Sequence, residues 1–340
     1  MTDSTRSNLN SAFWKNRRVF VTGASGLLGS NLVEKLLSLN AEVVALVQDH
    51  NPASILFQTP SIQERVIQVR GDLTDLYTLE RALNEYEVKT VFHLGAQTIV
   101  GIANNSPLST FESNIRGSYN LLEASRRTKG ISEVVVASSD KAYGESEILP
   151  YSEDLPLKGE HPYDVSKSCT DLIAKTYFVT YELPVIITRC GNLFGPGDLN
   201  WNRLIPGTIR SAFLRESPVI RSDGTFIRDY FFIEDASIGY LELAEKIHAK
   251  NLMGEAFNLS NEEHLNVLDL TMLILKLMGR EELEPKILNQ ANYEIKNQFL
   301  SSKKVQTELG WRSRYSIEEG LKRTIPWYAH FLERTYAESN

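Results

Sequence analysis

Two short runs hold most of the side chains that could do chemistry: Ser139-Asp140-Lys141 and Tyr163-Asp164-Val165-Ser166-Lys167. Tyr163 and Lys167 are four apart, so on a helix they share one face. A phenol beside an ammonium is biased toward phenolate. Ordinary phenols titrate near 10, and use as a base at neutral pH requires lowering that by about 3, or roughly 4 kcal/mol. Ser139 could hydrogen-bond the reacting oxygen. Asp140 and Lys141 set a carboxyl next to an amine, an acid and a base if the first is protonated and the second neutral. Burial pushes both that way, while their mutual attraction favours an ion pair. A structural Asp–Lys pair closing a turn is the alternative.

These groups need a scaffold, and the pattern around them supplies one. Strands are expected at 18–21, 42–47, 66–69, 90–94, 133–138 and 184–189, with helices at 27–39, 76–86, 107–128 and 162–181. The strands are continuous apolar runs alternating with helices, which predicts a Rossmann-type doubly wound parallel α/β sheet. Ser139 then lies at the carboxyl edge of the fifth strand, where such sheets bind ligands. The first strand runs into Thr22-Gly23-Ala24-Ser25-Gly26-Leu27-Leu28-Gly29. Gly23 permits the tight turn, Gly26 lets backbone approach a pyrophosphate, and Gly29 allows helix and strand to pack closely. The helix N-terminus offers free N–H groups to the phosphates. The second strand ends Val47-Gln48-Asp49-His50, with an acid and no arginine, which favours NAD over NADP. Asp72, in Gly-Asp-Leu after the third strand, is placed for the adenine edge or as a helix N-cap.

After Cys190 the alternation weakens. The expected organisation is a dinucleotide-binding domain over 13–190 and a smaller mixed α/β substrate domain over 191–338, which returns strands or helices to the first. Residues 1–12 read as a polar arm. Arg203, Arg221 and Arg228 follow the sheet pattern, where a diphosphate would need neutralising, and arginine suits bidentate phosphate contact.

The combined motifs resemble the extended short-chain dehydrogenase/reductases. The resemblance rests on the loop 22–29, Asp72, His93-Leu94-Gly95-Ala96-Gln97, Asn114, Ser139, the Tyr163/Lys167 pair, Arg189-x-x-Asn192-x-x-Gly195-Pro196, Arg228-Asp229-Tyr230 and Leu309-Gly310-Trp311. It implies catalytic positions for Ser139, Tyr163 and Lys167. It implies a cofactor site from Gly23, Ser25, Gly26, Leu27, Leu28, Gly29, Asp49, Asp72, Leu73, Leu94, Gly95, Ala96, Gln97 and Asn114, with Tyr163 and Lys167. Asn192 and Arg228 take positions that hold a nucleotide diphosphate. By the same resemblance, helices 107–128 and 162–181 pair across a homodimer axis.

Most members of that group convert nucleotide sugars. Epimerases usually carry small residues after the catalytic Ser or Thr, and 4,6-dehydratases carry an acid–base pair. Asp140-Lys141 is similar to the pair in CDP-glucose 4,6-dehydratases and in some dehydratases of UDP-N-acetylglucosamine. Three further segments resemble the CDP-glucose enzymes: Phe13-Trp14, Gly197-Asp198 with Arg203-Leu204-Ile205-Pro206, and Pro218-Val219-Ile220-Arg221. The resemblance therefore implies an NAD-dependent nucleotide-sugar 4,6-dehydratase with a CDP-glucose-like substrate. Tyr163 would take the O4 proton as the C4 hydride leaves, Lys141 the C5 proton, and Asp140 would protonate the departing C6 hydroxyl. Arg203, Leu204, Ile205 and Arg221 join the expected substrate contacts. A 4-epimerase or reductase is the second reading, and a non-catalytic dinucleotide-binding protein the third.

Composition bounds the rest. The 340 residues are 42% hydrophobic, enough for a large core, and the formal net charge of −7 disfavours general nucleic-acid binding. Cys169 and Cys190 form no disulfide framework, and the six histidines have no ligand spacing, so no metal is expected. No apolar run reaches the roughly 20 residues that span a bilayer. With no signal-peptide layout, a cytoplasmic location is expected.

Overall fold

The computed structural model describes residues 9–290 and 295–337. Its centre is a seven-stranded parallel sheet. The strands are β1 (Arg18–Thr22), β2 (Glu42–Val47), β3 (Ile67–Arg70), β4 (Thr90–His93), β5 (Glu133–Ala137), β6 (Val185–Cys190) and β10 (Ala256–Leu259), in the order β10-β6-β5-β4-β1-β2-β3. Both faces of the sheet are covered, which explains why its strands lack polar alternation. Along β1, Val19 and Val21 point into one core with Leu32 and Leu36 of the helix Leu27–Ser38. Phe20 points into another, with Leu79, Leu83 and Leu121. Each such fully buried leucine contributes about 1.5–3 kcal/mol by leaving water. The strand order reverses between β1 and β4, leaving a crevice at their carboxyl ends.

The remaining strands are β7 (Asn192–Phe194), β8 (Val219–Ile220), β9 (Ile227–Phe232), β11 (His264–Asn266), β12 (Lys286–Ile287) and β13 (Asn297–Gln298). β9 carries β7, β11 and β13 beside it. A third core of Phe194, Ile205, Ile209, Tyr230 and Phe232 lies against the helices Val267–Leu277 and Ile317–Ala337. The chain beyond residue 190 re-enters the large sheet: β10 pairs in parallel with β6, and the helix Ile233–Lys246 packs on β5 and β6.

Two local expectations change. The segment expected as one α-helix from 107 to 128 is continuous to Arg127, but Glu112–Arg116 winds as a π-helix. The extra residue turns Asn114 inward. The expected polar arm gives way to order before residue 12. Asn10 caps the short helix Ser11–Trp14 by accepting from the Ala12 and Phe13 amides, and the fully buried Trp14 indole donates to Glu245. Residues 1–8 of that arm lie outside the described residues. Among the described residues, no helix is long and apolar enough to cross a membrane.

Candidate active site

A single cleft of about 810 Å³ runs along the carboxyl edge of the sheet, from the glycine loop to Arg221. At one end, Gly23 adopts φ +67°, and a Cβ there would meet the Gly95 backbone at 2.7 Å. A Cβ on Gly29 would lie 2.0 Å from the Gly23 carbonyl oxygen, so only glycine lets the helix pack this closely on the turn. Gly26 caps the helix Leu27–Ser38 with no side chain, and the first turn carries no acid. The helix dipole and the first-turn amides therefore face the cleft uncompensated, a setting that fits a pyrophosphate.

Asp49 and Asp72 both line this end. Asp72 is not the cap of the following helix, a role taken by Asp75. Instead Asp72 accepts from the Thr74 amide and hydroxyl, both at 2.7 Å, and from the Gln48 side chain at 2.7 Å. Leu73, Leu94, Gly95, Ala96 and Gln97 continue the wall. Asn114 stands behind it. Its amide accepts from the Gln97 N–H at 2.7 Å and donates to the Gln97 carbonyl at 3.0 Å and to the Ser166 hydroxyl at 2.9 Å. That side chain is fully engaged in bracing the 94–97 turn, so it acts on the cleft through Gln97.

The middle of the cleft gathers Ser139, Asp140, Lys141, Tyr163 and Lys167. Ser139 follows β5 by two residues and caps a single 3-10 turn, Asp140–Tyr143, by accepting from the Lys141 amide at 3.2 Å. Its hydroxyl donates to Asp140 Oδ1 at 3.0 Å. Asp140 is 4% exposed, and its Oδ2 has no hydrogen-bond partner among the described residues. Burial raises its pKa, against the opposing pull of Lys141, the Ser139 hydrogen bond and Arg228. The carboxyl is thereby biased toward its protonated form. The turn is held from below by Gln298, fully buried in β13, whose side chain donates to the Asp140 carbonyl at 3.1 Å.

Tyr163 and Lys167 share one face of the helix Pro162–Tyr181. Burial pushes the Tyr163 phenol up to about 12, with a Ser139 hydrogen bond and the Arg203 charge pulling the other way. Lys167 donates to the Ala137 carbonyl at 2.7 Å, and burial lowers it to about 8, opposed by Asp171. The phenolate bias expected from the Tyr163/Lys167 spacing is thus opposed by burial, which outweighs Ser139 and the Arg203 charge.

At the far end Asn192, Arg203 and Arg221 line the cleft. Arg203 pairs with the buried Asp198 at 3.2 Å, and Arg221 donates to Asn202 at 2.9 Å. Leu204 and Ile205 open the helix Leu204–Phe213 and pack into the third core, with Ile205 3% exposed. Arg228 lies behind the wall. Its guanidinium donates to the carbonyls of Ile227 and Lys296 and sits over the Phe226 ring, and its charge reaches the cleft through Asp140. Sequence reasoning gave no site role to Gln298, Cys190, Tyr240, Asp198, Asn200 and Asn202. The last five line the cleft, and none of the six sits in a spacing that signals chemistry.

Comparison with known proteins agrees with this geometry. The family model described as GDP-mannose 4,6 dehydratase matches residues 20–324. The chain is 28% identical over 335 residues to the CDP-glucose 4,6-dehydratase of Salmonella typhimurium, covering 94% of this chain and 92% of that one. It is 29% identical over 318 residues to a dTDP-glucose 4,6-dehydratase of Streptomyces antibioticus, covering 91% and 92%. The dTDP-glucose 4,6-dehydratase of Streptomyces venezuelae, solved with NAD bound, superposes with a TM-score of 0.84 at 28% identity, covering 94% and 98%. The epimerase Mth375 of Methanothermobacter thermautotrophicus gives 0.87 at 26% identity, covering 96% of each chain. With nine-tenths of its length matched by one family model and by relatives of equal span, this chain belongs to the GDP-mannose 4,6 dehydratase family.

Proposed function

We propose that the protein is an NAD-dependent nucleotide-sugar 4,6-dehydratase with a CDP-glucose-like substrate. The observation that carries this reading is Asp140, a buried carboxyl on the cleft, biased toward protonation and with one oxygen unpartnered among the described residues. An epimerase needs no such acid. The CDP-glucose preference draws on the Salmonella relative and on the segments around Phe13-Trp14 and Arg203–Pro206.

The glycine loop, Asp49, Asp72, Leu73 and the 94–97 turn would hold the dinucleotide, and Asn192, Arg203 and Arg221 the sugar's diphosphate. NAD held there would bring a positive charge beside Tyr163 and the capacity to carry a hydride from C4 to C6. Tyr163 takes the O4 proton, with Ser139 hydrogen-bonded to the same oxygen. The 4-ketone acidifies C5, and Lys141 removes that proton. Asp140 protonates the C6 hydroxyl as it leaves as water. The product is a 4-keto-6-deoxy sugar. Residues 13–190 supply the cofactor half of the cleft in this scheme and 191–338 most of the substrate half.

The protein would act as a homodimer through the 107–127 and 162–181 helices. Leu108 is 72% exposed, Leu172 58% and Val179 67%, an apolar surface that a partner copy would cover. The activity test is incubation of purified protein with a panel of nucleotide hexoses, read by mass spectrometry. Product one water lighter than CDP-glucose is expected. Isomeric product of unchanged mass would favour instead the 4-epimerase reading, which the fit to Mth375 supports.

A further inference from the structure

The end of the cleft assigned to the diphosphate contains a group that works against an anion. Asp198 lines the same wall as Asn192, Arg203 and Arg221, and only 5% of it is exposed. A carboxylate in that position repels a diphosphate, with little water between them to screen the charge. A site for such a ligand keeps the group only where it does something for a cation.

Its contacts show what that is. Asp198 Oδ1 accepts from the Asn200 amide at 3.0 Å, and Oδ2 accepts from Arg203 Nη1 at 3.2 Å. The backbone of Asp198 is anchored as well. The Tyr328 hydroxyl donates to the Asp198 carbonyl at 2.6 Å, and Tyr328 is fully buried in the helix Ile317–Ala337. Gly197, just before it, adopts φ +95°, and a Cβ there would meet Ile55 at 2.6 Å. Arg203 is fixed only in its backbone. It is the N-cap of the helix Leu204–Phe213, and its amide donates to the Asn200 carbonyl at 2.9 Å. Its long side chain is 36% exposed and has many rotamers to choose from. Asp198 takes one N–H of the guanidinium and leaves the rest of the fork for a ligand. Arg221 is held in a similar way, donating at 2.9 Å to Asn202 of the same loop.

We propose that Asp198 is a positioning residue that holds the Arg203 guanidinium ready for the diphosphate of the nucleotide sugar. The ion pair restricts the arginine before the ligand arrives, so less ordering is left for binding itself. Asp198 acts through Arg203, and its repulsion of the ligand is outweighed by the placement of the cation. This role rests on the nucleotide-sugar reading of the cleft above. It holds whether the bound sugar is then dehydrated or epimerised.

A double-mutant cycle separates this role from a merely structural one. NAD-loaded wild-type protein is titrated by calorimetry with CDP, UDP, GDP and dTDP. The nucleoside diphosphate bound most tightly is then titrated into Asp198→Asn, Arg203→Gln and the double variant. Asparagine keeps an oxygen for the Asn200 amide, so the turn survives while the charge facing Arg203 is lost. Asp198→Asn should weaken binding by about threefold to tenfold, the range for freeing one long side chain. In the Arg203→Gln background the same substitution should cause no further loss, and NAD content should match the wild type throughout. An equal loss in both backgrounds, or tighter binding by Asp198→Asn, overturns the proposal. The carboxylate then supports only the loop, or competes with the diphosphate for the arginine. Tyr328→Phe is a second route that leaves the carboxylate intact. Without its hydroxyl on the Asp198 carbonyl, binding should weaken in the wild-type background and not in Arg203→Gln, and equal losses again overturn the role. Failure of the nucleotide-sugar reading looks different: the wild-type protein then binds none of the four nucleoside diphosphates.

Discussion

Replacing Asp140 with asparagine isolates the acid. The substitution preserves shape, and the amide oxygen can still accept from Ser139, as Asp140 Oδ1 does at 3.0 Å. The new NH2 takes the place of an oxygen that has no partner among the described residues. Because burial already biases the carboxyl toward neutrality, the exchange is neutral for neutral, and folding should change little. What disappears is the proton given to the C6 hydroxyl. General acid catalysis is worth typically 10²–10⁴ in rate, which corresponds to about 3–5 kcal/mol of barrier. The expected phenotype is split. Asp140→Asn should bind NAD as the wild type does, oxidise C4 and exchange the C5 proton with deuterated solvent, while elimination falls by that factor. Stopped-flow absorbance of reduced nicotinamide would then build up where the wild type shows little. Normal dehydration by this variant would refute the assignment of Asp140 as the acid. In the wild type, elimination should fall as pH rises through the raised pKa of Asp140, because only the protonated carboxyl can donate.

Other consequences are as direct. Gly29→Ala puts a methyl 2.0 Å from the Gly23 carbonyl oxygen, where backbone must shift. A cost of about 1–3 kcal/mol and loss of bound cofactor are expected, and an unchanged Tm with full NAD content would contradict the packing role of Gly29. Asn114→Ala removes three hydrogen bonds at about 0.5–1.5 kcal/mol each. The urea midpoint should fall and NAD should bind more weakly although Asn114 does not line the cleft; unaltered NAD affinity would show that the 94–97 turn needs no brace. Asp229, fully buried in β9, is raised by burial from 3.8 to about 7. The folded state then holds a proton that the unfolded state releases, so this group's contribution is full below about 3.8 and is lost as pH rises toward 7. Asp229→Asn should gain stability relative to wild type as pH rises across that window, and a constant difference in Tm from pH 4 to 8 would refute it.

Much of this fold was readable because its signals are local. β2 and the helix Pro162–Tyr181 fall at the residues the periodicity predicts, since each is a continuous pattern ended by a turn or by Pro184. The Tyr163/Lys167 pair was readable for the same reason, as four residues on a helix fix a shared face. Long-range relations were not readable. β10 joins β6 across 65 intervening residues, and nothing in Ala256–Leu259 names its partner. Gln298 reaches the Asp140 carbonyl from 158 positions away. The π-helix at Glu112–Arg116 is one inserted residue, too small to disturb the apolar periodicity of 107–127. The direction of the Tyr163 pKa also escaped the sequence, because it depends on how much water burial excludes, and spacing carries no such information.

The central claim is that a hydride leaves C4 and returns to C6 within one active site. CDP-glucose carrying deuterium at C4 tests it most directly. Purified protein should release a 4-keto-6-deoxy product with the deuterium at C6, detected by NMR, with no added nicotinamide consumed beyond what the protein holds. Deuterium retained at C4 in a product of unchanged mass, or an intact substrate, would contradict the account.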